Sequence, residues 1–196
     1  MQPAALIFDC DGTLADTMPA HYEAWVATLQ RYDVELDEDL FYAMGGWPTL
    51  KVATHLLERA RVNIPPQRIV DEKEAVFESM LGSIQPITPV IDIAAKHRGI
   101  IPMAVGSGGL KHLVVETLEH LGIADWFQAI VTCEDVELHK PFPDTYLEAA
   151  KQLNVDPKGC TVYEDTDPGI EAGMRAGMQV VDVRTLYTPR RVTPKK

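Results

Sequence analysis

Two carboxylates end a short apolar run in Ile7-Phe8-Asp9-Cys10-Asp11-Gly12-Thr13-Leu14. Asp9 and Asp11 repel each other unless a cation or a shared proton relieves them. Mg²⁺ is the simplest relief, because it prefers carboxylate, carbonyl and water oxygens. With the metal bound, one Asp serves as a nucleophile and the other moves protons. A second acidic pair, Glu164-Asp165, closes another apolar run, Thr161 to Tyr163. Between the two pairs lie Val105-Gly106-Ser107-Gly108-Gly109 and His139-Lys140-Pro141-Phe142-Pro143-Asp144. Small residues ahead of a helix let backbone N–H groups approach an anion, and Ser107 adds a hydroxyl donor. The prolines beside Lys140 fix where its side chain projects.

The run Ala4 to Phe8, bounded by Gly12, reads as a buried strand that ends in a turn. Asp9 and Asp11 then sit at its carboxyl end, the edge at which open α/β sheets bind ligands. Cys10 is the alternate residue and is expected to point into the core. Residues 16 to about 84 carry helical spacing without a strand. Asp16 or Thr17 caps the first helix, whose face holds Tyr22, Trp25, Val26 and Leu29. Short helices over Asp37 to Ala43 and Thr49 to Ala60 follow, separated by the turn Gly45-Gly46-Trp47-Pro48. A further helix starts at Pro66 or Gln67, with Ile69, Val70, Lys73, Val76, Phe77 and Met80 in a 3.6 period, and Gly82 to Pro89 reads as a linker.

From Ile100 onward the pattern changes. Apolar runs at Ile100 to Gly106, Phe127 to Thr132, Thr161 to Tyr163 and Met178 to Val183 alternate with helices near Leu110 to Leu121, Pro143 to Leu153 and Gly169 to Ala176. That alternation predicts an α/β fold with a parallel sheet and right-handed crossovers. Residues 1–15 and 86–196 form the expected core, and residues 16–85 an all-helical insert after the first strand. An insert there sits over Asp9 and Asp11 as a lid, excluding water and selecting substrates. The tail from Arg184 to Lys196 has no apolar period and is expected to be loosely held.

The run Asp9-Cys10-Asp11-Gly12-Thr13-Leu14 resembles the first motif of the haloacid dehalogenase superfamily, in its phosphatase branch. The resemblance extends through Ser107, Lys140-Pro141-Phe142-Pro143-Asp144 and Glu164-Asp165-Thr166-Asp167-Pro168-Gly169-Ile170, in the family's order, and covers the chain from Ala4 to about Val183. It implies a Rossmann-like core with a small helical cap. It implies Asp9 as nucleophile and Asp11 as general acid/base, neutral before the reaction because burial and Asp9 raise its pKa. Ser107 and Gly108 would hold a phosphoryl oxygen, and Lys140 would neutralise the nucleophile and the phosphate. Mg²⁺ would take Asp9, the Asp11 carbonyl, Asp165 and Glu164, while Asp167 would cap a helix. Within the insert, Asp16-Thr17 and His21-x-x-x-Trp25 resemble the β-phosphoglucomutase subgroup, where Gly45, Gly46, Trp47 and Thr49 fall in the substrate loop and His21 orients Asp11 or is structural. The mutase pattern has basic residues around that loop. This chain has Met44, no Arg between it and Arg59, and Lys51 as its nearest cation, which resembles the fructose-1-phosphatase-like members more closely.

The resemblance implies a phosphatase of small phosphate esters, with a phosphomutase or a non-catalytic binding module as rivals. Composition is consistent with this. The formal net charge of −11 argues against nucleic acid and anionic membranes as partners. Cys10, Cys133 and Cys160 are odd in number and far apart, so a disulfide framework or zinc site is not expected. No apolar run has transmembrane length and no leader pattern opens the chain, so a cytoplasmic location is expected, and no obligate protein partner is implied.

Overall fold

The computed structural model describes residues 3–192. Its centre is a parallel sheet of β1 (Ala5–Phe8), β2 (Met103–Gly106), β3 (Ala129–Val131), β4 (Cys160–Glu164) and β5 (Gln179–Asp182), in the order β3-β2-β1-β4-β5. β1 is central and buried on both faces, as a parallel strand between helical layers must be. Its side chains alternate. Leu6 and Phe8 join Val90, Ala94, Val114 and Leu118 on one face. Ala5 and Ile7 join Tyr146, Ala149, Ala150 and Ala172 on the other.

Four helices follow β1: α1 (Met18–Leu29), α2 (Glu38–Ala43), α3 (Thr49–Ala60) and α4 (Pro66–Glu78). They share their own apolar cluster around Trp25, Leu29, Phe41, Leu56 and Ile69. A smaller cluster of Ala20, Ala24, Phe77 and Leu113 ties α1 and α4 to the sheet layer. The two strands of chain that connect these helices to the core lie side by side, with Ala15 bridged to Pro86 and Asp16 N–H donating to Gln85 O at 2.9 Å. The remaining helices are α5 (Thr88–His97), α6 (Lys111–His120), α7 (Asp144–Gln152) and α8 (Asp167–Arg175).

Two expectations need correction here. The linker ends at Ile87, and residues that carried no helical reading form α5, which buries Val90 and Ala94 against the sheet. The tail is strapped down as far as Val192, and its last residues lie outside the described range. Tyr187 Oη donates to Gly12 O, Arg190 pairs with Asp16, and Arg191 pairs with Asp39 while lying 4.4 Å over the Tyr42 ring. Tyr42 Oη donates to Arg190 O at 2.7 Å, and Val192 N–H donates to Glu38 Oε1 at 2.8 Å. These contacts are polar and distant in sequence, so no apolar period announces them.

The strap adds a third connection between the core and α2. Its ion pairs are partly exposed and each contributes little. With the hydrogen bonds included, deleting residues 187–196 is expected to cost about 1–2 kcal/mol, or roughly 2–8 °C in Tm for a chain of this size. Thermal unfolding of the truncated protein checks this, and an unchanged Tm would show that the strap holds nothing.

Candidate active site

The register Phe8↔Tyr163 between β1 and β4 brings Asp9 and Glu164 side by side at the carboxyl edge of the sheet. Asp9, Glu164 and Asp165 each offer an oxygen within 4.8 Å of the others. Lys140 Nζ reaches into the group, donating to Asp9 Oδ1 at 2.7 Å and to Glu164 Oε1 at 2.9 Å. The ammonium also lies 4.9 Å from the Tyr146 ring, a backing that the sequence reading missed. Burial works against the Lys140 charge, but Asp9 and Glu164 outweigh it and hold the group protonated. The Lys140–Pro141 peptide is cis.

The carboxylates are less well compensated. Burial pushes Asp9 above the usual carboxylate range; Lys140 opposes this, and Glu164 and Asp11 reinforce it. Burial also raises Asp165 strongly, followed by the charges of Glu164 and Asp9. Clustered, desolvated oxygen donors of one sign are what a hard divalent cation binds. The donor set therefore fits Mg²⁺.

Neighbouring residues hold these oxygens in place. Thr13 Oγ1 donates to Asp165 Oδ1 at 3.0 Å. Thr166 donates its N–H and its hydroxyl to Glu164, the hydroxyl at 3.0 Å from Oε2. The Thr166 side chain also accepts from Gly169 N–H and is the N-cap of α8. Asp167, expected in that role, is instead an exposed residue of the first turn paired with Arg184 at 2.8 Å. A Cβ at Gly169 would overlap the Glu164 carboxylate, and one at Gly12, where φ is +83°, would overlap Asp165. Both glycines are required by close approach.

Asp11 faces the helical insert. Thr17, placed at the N-cap of α1, makes no capping bond; its hydroxyl donates to Asp11 Oδ1 at 2.7 Å. His21 Nε2 lies 3.3 Å from the same oxygen. Lys73 Nζ lies 2.8 Å from His21 Nδ1 and 3.0 Å from Glu74 Oε2. An ammonium donating to Nδ1 leaves the proton of a neutral imidazole on Nε2, directed at Asp11. Burial and then Lys73 lower the His21 pKa, consistent with a neutral ring, and Phe77 stacks on it at 3.8 Å. Burial alone would raise Asp11, but His21, Thr17 and Lys73 together hold it at about 2. The expectation of a neutral Asp11 is therefore overturned for this arrangement. Burial and the Asp9 charge predict a raised pKa, and hydrogen bonds from His21 and Thr17, with the Lys73 charge behind His21, outweigh them.

Asp9, Asp11, His21, Gly45, Gly46, Trp47, Thr49, Ser107, Gly108, Lys140 and Glu164 line one cleft between the sheet edge and the insert. Asp165 lies behind, at the carboxylate cluster. Ser107 is buried, accepts from Gly109 N–H at 3.0 Å, and places its hydroxyl 3.4 Å from Asp11 Oδ2. Cys10 is fully buried among core residues, and burial pushes its thiol up. Lys51 turns away to the Trp47 ring at 4.0 Å, whereas Lys73 and Glu74 face the cleft. The sequence reading missed both, although Lys73 stood within the apolar period of α4.

A family model of haloacid dehalogenase-like hydrolases matches residues 6–183. The chain is 41% identical to the fructose-1-phosphate phosphatase YqaB of Escherichia coli (strain K12), over 93% of this chain and 97% of that protein. It is 29% identical to a phosphorylated carbohydrates phosphatase of Thermotoga maritima, over 89% and 82% of the two chains. Among solved structures, a β-phosphoglucomutase from Clostridium difficile matches with a TM-score of 0.80 and 27% identity, over 92% of this chain and 84% of that one.

The packing of Gly169 yields a sharp expectation. Gly→Ala inside an exposed helix gains about 1 kcal/mol. Gly169→Ala is expected instead to destabilise by about 1–3 kcal/mol, because the new methyl group must displace the buried Glu164 carboxylate. Denaturant unfolding gives the sign directly, and a stabilised variant would contradict the described Glu164 position.

Proposed function

Because the chain belongs to the haloacid dehalogenase-like hydrolase family, we propose that it is a Mg²⁺-dependent phosphatase of sugar monophosphates, acting through an aspartyl-phosphate on Asp9. The observation that carries this reading is the buried group of Asp9, Glu164 and Asp165 around Lys140, opening into a cleft roofed by helices. The relative named for fructose 1-phosphate supports that ester as the first substrate to try.

In this reading residues 1–15 and 86–196 form the core and residues 16–85 the cap. The metal would be held by Asp9, Glu164, Asp165 and the Asp11 carbonyl, and would supply positive charge for the phosphoryl oxygens. Lys140 and Ser107 bind two of those oxygens and orient the phosphorus toward Asp9. Asp9 forms the new O–P bond as the ester O–P bond breaks, with charge building on the equatorial oxygens. Asp11, ionised in the described arrangement, takes a proton from solvent as the negative phosphoryl group enters beside Oδ2, and delivers that proton to the leaving oxygen. It then accepts a proton from the water that attacks phosphorus and frees Asp9. Gly45, Gly46, Trp47 and Thr49 close the cleft over the leaving group, and Gly46 packs against Thr166 of the core. Unpaired Cys10, Cys133 and Cys160 suit a reducing, cytoplasmic setting. No helix of the described residues is long and apolar enough to cross a membrane.

Phosphate release from fructose 1-phosphate is expected to vanish in EDTA and return with Mg²⁺; full activity without metal would refute the mechanism. Asp9→Asn is expected to lower kcat by at least about 10³-fold, because an amide oxygen is a poor nucleophile. Steady-state kinetics on the folded variant check this, and substantial turnover would move the nucleophile elsewhere.

A further inference from the structure

The cap wall of the cleft carries an ion pair. Lys73 and Glu74 are adjacent on α4, both are nearly buried, and their charged ends lie 3.0 Å apart. Both line the cleft, and among the described residues they are the Lys, Arg, Asp or Glu side chains that the cap contributes to it. Lys73 Nζ also lies 2.8 Å from His21 Nδ1, and the Trp25 and Phe77 rings flank it at 5.7 and 5.1 Å. The cation that faces a leaving group is thus already cancelled by its neighbour.

We propose that Glu74 is a specificity-determining residue, making the cap wall neutral so that the cleft accepts an uncharged polyhydroxyl leaving group and rejects one bearing a second phosphate. The inference rests on the phosphatase reading above. An ammonium has three N–H donors. Lys73 directs one to His21 and one to Glu74, leaving the third for a substrate hydroxyl. A hydroxyl also donates, and Glu74 accepts. A second phosphate is acceptor-rich and negative, so it meets Lys73 only by also meeting the Glu74 carboxylate. Like-charge juxtaposition of this kind is how a site excludes a competitor. A lone Lys73 would do the reverse and attract the distal phosphate.

The test measures binding in an Asp9→Asn background, which blocks turnover, with Mg²⁺ present. Calorimetry gives Kd for fructose 1-phosphate and fructose 1,6-bisphosphate. Glu74→Gln keeps the shape and the acceptor oxygen and removes the charge. It is expected to shift the ratio of the two Kd values at least about tenfold in favour of the bisphosphate. Lys73→Met leaves Glu74 uncompensated and is expected to shift the ratio the other way, so either variant that folds tests the sign. Glu74→Asp, which keeps the charge, is expected to retain the original ratio. Equal changes in both affinities would show Glu74 to be merely structural and would overturn the inference alone. Failure of the unsubstituted protein, with Mg²⁺ present, to release phosphate from fructose 1-phosphate or any other sugar monophosphate would overturn it together with the proposed function.

Discussion

Most of this fold answers one electrostatic constraint: three carboxylates and one lysine share a buried volume at the ends of adjacent parallel strands. The pairing of β1 with β4 makes the crowding unavoidable, since Asp9 and Glu164 are the residues that follow Phe8 and Tyr163 in register. A single ammonium leaves the group negative. Removing such charges from water is costly unless their remaining lone pairs are bonded. Hydroxyls of Thr13 and Thr166 supply bonds, and the absence of side chains at Gly12 and Gly169 lets the carboxylates fit. The site is therefore maintained by residues that perform no chemistry, and its stability depends on them.

Asp11 obeys a different balance although it is only two residues from Asp9. Its side chain turns toward α1, where the Thr17 hydroxyl and the His21 imidazole meet it, and the Lys73 ammonium of α4 stands behind that imidazole. Three groups from the helical insert thus set the ionisation of a residue in the core loop. The same insert is fixed to the core at its doubled connection, at the Phe77–Leu113 cluster and through the C-terminal strap. Placement of the helices and the charge on Asp11 are consequently linked: whatever moves α1 or α4 away from the sheet edge removes the donors that keep Asp11 ionised.

The sheet was legible because each strand is a short apolar run ending in residues of distinctive chemistry. Asp9, Ser107 and Glu164 each sit just past or at the last strand residue, so motif and element located each other. Lys140 was legible only through its prolines and its position in the order of motifs. Helix α5 was not, since Thr88-Pro89 reads as the end of a linker although Pro is well suited to a first helical turn. Thr17 shows the limit of capping rules, which identify its place in the chain but not that its hydroxyl is committed to Asp11.

Periodicity fails most instructively at α4. A 3.6 period assumes that a helix has one buried face. Helix α4 has more, because it is wedged between its own cluster, through Ile69 and Val70, and the core-facing cluster, through Phe77. Lys73 and Glu74 are consecutive, some 100° apart around the helix axis, yet both are buried. On a surface helix one of them would be solvated, and the natural reading of a lysine inside an apolar stripe is a stem that snorkels outward. Here the second buried face is the roof of the cleft. A charged residue that satisfies the apolar period, followed at once by its counter-ion, is therefore the trace that this two-sided helix leaves in sequence.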